Sequence, residues 1–370
     1  MLAVFSDAAM VRAALEFETA LAGGLAEAGL ISPEAALEIA GICAALEIDP
    51  AELAEAAAHA GTLAIPLVKR LREACSGPEV ARCVHFAATS QDTADTALML
   101  QSKRGMALVI EDLGCLAAGC AALARAHAKL PMLGRTLLQQ AVPITFGLKA
   151  AQWMLGLDAA RVRLCVEARH GLALQFGGAA GTRAGLDGHG GPIVAYMAEQ
   201  LGLARPPLPW HARRDGVAGM ATALAIAVGA VGKIAEDVAL LAQDEVGEAR
   251  EPLVDGRGGS SAMAHKRNPA GCQVALSAAI RTPGLAAAIL FGMPQQHERG
   301  LGGWQAEGPV LAELFCLTHG AIRAMLPAIE ALDIDARRMQ TNLEGAGVGL
   351  DTGESERMVV AALATRADSA

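Results

Sequence analysis

Aromatic side chains are scarce in this chain: seven phenylalanines, three tryptophans and one tyrosine among 370 residues leave little on which a base could stack. A formal net charge of −9 also repels a phosphate backbone, so nucleic acid is excluded as a partner. The eight cysteines (Cys43, Cys75, Cys83, Cys115, Cys120, Cys165, Cys272 and Cys316) never form a Cys-x-x-Cys pair. That pattern fits reduced thiols in a cytoplasm rather than a disulfide frame or a zinc site. No basic segment precedes an apolar core at the N-terminus, so no signal peptide is expected. The least polar run, residues 216–232 between Asp215 and Lys233, falls short of a membrane span and reads as a buried bundle helix. No membrane partner is expected. Residues 175–182 are glycine-rich but lack the spacing and preceding strand of a dinucleotide fingerprint, and read instead as the turn after a long helix.

What the chain has in excess is alanine and glycine. Hydrophobic residues make up 53% of it, and alanine favours helix while glycine lets helices approach closely, so the expected fold class is all-α. Helical spacing starts at residues 11–30, where Leu15, Leu21, Leu25 and Leu30 alternate with Glu16, Glu18 and Glu27. Ser32-Pro33-Glu34 and Asp49-Pro50 each supply an N-cap followed by proline at the first helical position. Long apolar helices are predicted over 106–129, 144–169, 216–248, 268–290 and 308–329, with a last helical segment over 354–366.

Chemistry-bearing residues gather between these segments. Residues 258–269 read Gly-Gly-Ser-Ser-Ala-Met-Ala-His-Lys-Arg-Asn-Pro, a loop whose glycines bring backbone close to a ligand while Lys266 supplies charge and a serine hydroxyl stands ready for proton transfer. Residues 84–92 end in Thr89-Ser90-Gln91-Asp92 and open a helix near residue 93, which suits a carboxylate but is also an ordinary cap. Residues 130–143 contain Gly134-Arg135-Thr136-Leu137-Leu138-Gln139-Gln140, and residues 293–304 place Arg299 among glycines. Trp210-His211-Ala212-Arg213-Arg214-Asp215 is either a solvated linker or a second wall of the site.

These stretches resemble the signatures of the fumarase/aspartase superfamily: Gly-Ser-Ser-x-Met-Pro-x-Lys-x-Asn-Pro at 259–269, His-x-Gly-x-Thr-Ser-x-Asp at 85–92 and Gly-Arg-Thr-His-x-Gln at 134–139. The resemblance implies a small helical N-terminal domain (1–100), a central bundle of five long helices (101–345) and a remnant of a C-terminal helical domain (346–370). It implies a homotetramer with a twenty-helix core, in which each active site takes loops from three subunits. It further implies Ser260 and Lys266 as catalytic residues, Ser260 being the first of the serine pair, six residues ahead of the lysine. His85, Thr89, Ser90, Gln139, Gln140, Asn268 and Arg299 are implied as substrate-binding. No metal or organic cofactor is implied.

Within the superfamily the details are most similar to the lactone-forming cycloisomerases, whose substrate is a small tricarboxylate. The matching pieces include residues 85–92, 174–179, 210–215 and 296–304. Four positions depart from the superfamily pattern: Ala87 replaces a glycine, Leu137 a histidine, Ala264 a proline, and Gln273 a glutamate that pairs with that histidine. A lyase that expels an amine or hydroxide needs a proton for the leaving group, whereas a carboxylate is stable as an anion near neutral pH. Leu137 and Gln273 therefore fit lactone formation. An amine- or hydroxide-expelling lyase such as an adenylosuccinate-type enzyme, a cycloisomerase whose substrate carries a sulfonate in place of the 3-carboxylate, and a non-catalytic homologue are the alternatives.

Overall fold

The computed structural model describes residues 1–254, 256–259, 263 and 266–367. Five helices come first: α1 (Asp7–Glu27), α2 (Pro33–Ala45), α3 (Pro50–Ala60), α4 (Ala64–Ala74) and α5 (Pro78–Cys83). The long α6 (Ser90–Ala126) leads to strands β1 (Pro131–Thr136) and β2 (Gln139–Thr145), then α7 (Phe146–His170), α8 (Gly190–Leu201) and α9 (Asp215–Leu241). Strand β3 (Ala249–Arg250), α10 (Ala270–Gly292), α11 (Gly303–Glu330), strand β4 (Asp333–Ile334), α12 (Ala336–Ala346) and α13 (Ser355–Ala367) complete the chain.

The capping signals act as their chemistry dictates. Ser32 accepts the Ala35 N–H at 3.2 Å and Asp49 accepts the Ala51 N–H at 2.9 Å, each ahead of a proline that has no N–H to satisfy. Helix α6 is a single 37-residue element, so the helical runs expected from residue 93 and from residue 106 are one. Helix α9 stops at Leu241, short of the expected 248, because the Glu248 N–H turns back to the Leu241 carbonyl at 2.9 Å and Ala249 enters β3.

The fold forms two compact units, Met1–Ala107, Val166–Ala221 and Leu285–Glu313 in one, and Leu108–Cys165, Thr222–Gly284 and Leu314–Ala370 in the other. Their boundaries fall inside the five long helices α6, α7, α9, α10 and α11. In the first unit α1 packs on α2 and α8, and its Leu15, Phe17, Leu21 and Leu25 are all buried. In the second, a Cβ at Gly232 of α9 would come within 2.8 Å of Ala279 Cβ on α10, so this close approach excludes a larger residue. Helices α6, α9, α10 and α11 are long and apolar enough to cross a membrane by length and composition alone. The expectation that the run at 216–232 is too short is thus corrected: α9 has 27 residues, although 61% of its most apolar window is buried within the protein.

Residues 130–143, read only as the signature-bearing stretch between two helices, contain most of an antiparallel hairpin, β1 with β2, with Thr136 opposite Gln139; Ile144 and Thr145, expected to open a helix, end β2. The hairpin's two-residue turn is Leu137-Leu138, with φ of 52° and 63°. Two positive φ values in a two-residue loop are normally met by Asn-Gly, and a β-carbon in that region costs roughly 1–2 kcal/mol per residue. Both leucines are also exposed, by 92% and 85%. The hairpin is held from its stem instead. Arg135 grips the fully buried Glu248 with two hydrogen bonds of 2.8 Å, and Asn342 of α12 donates to the same carboxylate at 2.7 Å. Replacing Leu137→Asn together with Leu138→Gly should therefore raise stability by about 1–2 kcal/mol, read as a higher urea midpoint at unchanged slope. An unchanged or lower midpoint contradicts the strain assigned to this turn.

Candidate active site

In the first unit, the start of α6 is fastened by one carboxylate. Asp92 is fully buried and accepts four hydrogen bonds, from the backbone N–H groups of Thr89 (3.0 Å), Gly177 (2.9 Å) and Gly178 (2.9 Å) and from His211 Nε2 (2.7 Å). A buried carboxylate keeps its charge only when such donors replace water. The turn that presents the two glycine amides has φ of 70° at Gly178, and a Cβ there would sit 2.7 Å from the Ala87 carbonyl oxygen. This is the physical reason for the glycine-rich 175–182 segment, which serves as a backbone clasp.

Behind it lies a second layer. Arg214, with no exposed side-chain surface, binds Asp95 through two bonds of 2.8 and 2.9 Å and Glu307 through Nε at 2.9 Å, and stacks 4.7 Å from the Trp210 ring centre. Burial raises the Glu307 pKa above the usual carboxylate range, against the pull of Arg214. Gln175 accepts the Trp210 N–H at 2.9 Å and donates to Asp95 at 3.1 Å. Trp210, His211 and Arg214 are therefore neither a solvated linker nor a substrate wall: all three are buried and act by fixing α6 and the glycine turn.

The loop so fastened carries three of the expected site residues, His85, Thr89 and Ser90, and meets a fourth, Arg299. Thr89 and Ser90 are half-buried at the α6 terminus, and Arg299, from the loop between α10 and α11, donates to the Thr89 hydroxyl. His85 has φ of 60° and Ala87 has φ of 57°, so the alanine in the signature's glycine position does adopt the backbone that glycine favours. His85 Nδ1 meets Glu18 at 2.7 Å. Glu18 stands at 1% exposure on the buried face of α1, which corrects the reading of it as a polar spacer. Burial opposes the charged imidazole, but the charge of Glu18 and its hydrogen bond outweigh burial, and the His85 pKa is raised above its ordinary value.

The second unit holds the other expected residues. Ser260 lies outside the described residues, as do Ser261, Ala264 and His265. The ends of their loop are well tied. The Asn268 N–H donates to the Gly258 carbonyl at 2.8 Å and its side-chain amide to the Gly259 carbonyl at 3.3 Å. Glu251 accepts the Gly271 and Cys272 N–H groups at 3.0 and 2.8 Å, capping α10 from outside its own sequence. Lys266 is exposed and lines a cavity of about 480 Å³ with Arg257, Arg267 and Asn268. Gln139 and Gln140 are exposed at the start of β2, paired in register with Thr136 and Arg135. Thr89 and Arg299 are thus brought together in one unit, while Lys266, Asn268, Gln139 and Gln140 belong to the other.

Sequence reasoning passed over Glu18, Arg72 and Asp92. The available signals were a carboxylate at helical spacing from Leu15, Leu21 and Leu25 and, for Asp92, its fixed place in the 85–92 signature. Arg72 and Lys69 of α4 line a cavity of about 490 Å³ together with His85 and Ser90. Both lie on the exposed face of an amphipathic helix, where nothing marks them out from sequence.

The family model described as "Lyase" matches residues 1–284. A 3-carboxy-cis,cis-muconate cycloisomerase of Pseudomonas aeruginosa is 46% identical over 98% of this chain and 79% of its own length. A nitrosuccinate lyase of Streptomyces davaonensis is 41% identical over 93% of this chain and 75% of its own. The crystal structure of 3-carboxy-cis,cis-muconate lactonizing enzyme from Pseudomonas putida superposes with a TM-score of 0.88 at 40% identity, covering 99% of this chain and 86% of that one.

Changing Asp92→Asn keeps the shape but turns an amide donor toward N–H groups. The loss should be about 3–5 kcal/mol, the usual result of breaking a buried charge network, read by chemical denaturation. A loss below about 1 kcal/mol, the worth of one ordinary hydrogen bond, contradicts the fastening role of Asp92.

Proposed function

The chain belongs to the lyase family, the fumarase/aspartase superfamily, and within it we propose that it is a 3-carboxy-cis,cis-muconate cycloisomerase, an intramolecular lyase that forms 4-carboxymuconolactone without a cofactor. The observation that carries this reading is Leu137. Where superfamily lyases hold a histidine, this chain sets a leucine at the solvent-exposed tip of a hairpin, and neutral Gln273 replaces that histidine's glutamate partner. A group that leaves or adds as a stable anion needs neither.

The reaction runs as a conjugate addition. An oxygen of the distal carboxylate forms a bond to the carbon bearing the 3-carboxylate. The electron pair of that double bond moves onto the neighbouring carbon and its carboxylate as an aci-anion, and the Ser260 hydroxyl delivers a proton to that carbon. The serine oxygen regains its proton from water. Lys266 and Asn268, with Thr89 and Ser90, steady the aci-carboxylate, since fixed donors aimed at developing charge supply the largest part of such catalysis. Arg299 and His85 offset the rest of a trianion on a protein whose own net charge is −9. Gln139 and Gln140 bind substrate from the hairpin.

On the superfamily pattern the loops that serve one substrate come from three chains of a homotetramer. Support comes from α10, where Val274, Ile280, Leu290 and Phe291 are 50%, 81%, 45% and 86% exposed, more apolar surface on one helix than a monomer normally shows to water. Light scattering should give four times the 37.8 kDa chain mass. The eight free thiols fit a cytoplasmic protein of aromatic-compound catabolism.

A second reading follows from the nitrosuccinate lyase relative, because nitrite, like a carboxylate, departs without a proton and leaves Leu137 equally suitable. Ultraviolet absorbance separates the two. Loss of the diene band of 3-carboxy-cis,cis-muconate at catalytic rates is expected, with no useful turnover of nitrosuccinate, adenylosuccinate, argininosuccinate or fumarate. Ser260→Ala should lower the muconate rate by about 10²–10⁴, the usual worth of a positioned proton donor, at unchanged helicity. Robust cleavage of adenylosuccinate by the unmodified chain, or near-normal rates in Ser260→Ala, overturns the assignment.

A further inference from the structure

The cavity beside the start of α6 has a wall that the reaction scheme above does not use: Lys69, Arg72 and Glu73 of α4 line it with His85 and Ser90. Behind His85, out of the cavity, lie the buried Glu18 of α1 and Asp92 and Thr93 of α6. His85 sits among them with 13% of its side chain exposed. One ring nitrogen, Nδ1, is taken by Glu18 at 2.7 Å. No hydrogen bond to Nε2 occurs among the described residues, and the ring lines the cavity with Ser90 and Arg72. Arg72 spends one N–H on the Val84 carbonyl at 3.1 Å, which fixes its guanidinium next to the histidine. Thr93 donates at 3.4 Å to the same Glu18 oxygen, Oε1, that meets the imidazole.

Glu18 is almost wholly buried at 1% exposure and its partner is an imidazole, with no guanidinium or ammonium bonded to it among the described residues. Burying a carboxylate is costly unless its partner is charged or donates strongly. The geometry points to a carboxylate subsite in this cavity, in which Glu18 is a positioning residue that holds His85 by Nδ1 and leaves Nε2 to meet a substrate carboxylate, with Arg72 beside it. This rests on the reading of the protein as an enzyme for a tricarboxylate, and assigns one of the three carboxylates a place.

The sign of the pH effect follows from the groups around the ring. Burial favours neutral imidazole and so does Arg72, while Glu18 and Asp92 favour the cation and prevail. His85 is therefore charged below its raised pKa, and anion binding is present there and lost as the pH rises through it. Without Glu18, burial dominates and the loss moves to lower pH.

The experiment follows the His85 ring by NMR and the binding of tricarballylate, a tricarboxylate with no double bond to react, by calorimetry between pH 6 and 9. Wild-type His85 should titrate above the ordinary value of about 6.5. Tricarballylate affinity should fall about tenfold to a hundredfold across that midpoint, the worth of one charge-assisted hydrogen bond. In Glu18→Gln both transitions should move to lower pH. Affinity that does not follow the His85 titration, or that keeps its pH profile in Glu18→Gln, overturns the subsite. If Glu18→Gln does not fold, the wild-type titration decides: saturating tricarballylate raises the His85 midpoint if the subsite is real and leaves it unmoved if it is not. These readouts need no turnover. Failure to lactonize muconate with intact pH-linked binding would sink the proposed activity alone.

Discussion

The carboxylate of Asp92 is the constraint on which the first compact unit depends. Four donors reach it from three separate stretches of chain, the loop before α6, the glycine turn at 177–178 and His211. Each of these stretches is irregular backbone at the bonded residue, so the shared acceptor satisfies donors that no helix satisfies. Because Asp92 is out of contact with water, the four bonds form together or leave a buried charge exposed to a low-dielectric interior. Thr89, Ser90 and the positive-φ residues His85 and Ala87 inherit their positions from this anchor.

Arg214 extends the same logic one layer deeper. A single guanidinium bound to two carboxylates and stacked on Trp210 ties α6 at Asp95 and α11 at Glu307 to the residue just ahead of α9. The second unit uses a comparable clasp, with Glu248 held by Arg135 and Asn342. Rigid ionic clasps of this kind hold the irregular segments next to them in place. They also explain how a hairpin with two leucines in a strained turn persists: the stem, not the tip, holds it. The superfamily's usual histidine at that tip is dispensable once the migrating group is a carboxylate, so Leu137 was free to depart from the pattern.

The helices were legible because their signals are local. Ser32-Pro33 and Asp49-Pro50 carry the whole capping argument within four residues, and the structure caps both helices there. The superfamily membership was legible for a different reason: loops that meet ligands tolerate few residue types at fixed spacing, as at 85–92 and 258–269. The hairpin was not legible, since Leu137-Leu138 is a poor turn sequence and its support comes from Glu248, more than a hundred positions away. The burial of Glu18 and of residues 210–214 was hidden likewise. A charged residue looks solvated until a partner distant in sequence, His85 or Asp95, is placed against it.

The central claim is that this chain adds a carboxylate to a double bond and protonates the neighbouring carbon. The most direct measurement is to run the reaction with 3-carboxy-cis,cis-muconate in deuterium oxide and examine the product by NMR. The account predicts 4-carboxymuconolactone with one deuterium, on the methylene carbon next to the new carbon–oxygen bond and on one face of it only. A lactone with deuterium on both faces, or no lactone at all, would contradict enzyme-directed protonation.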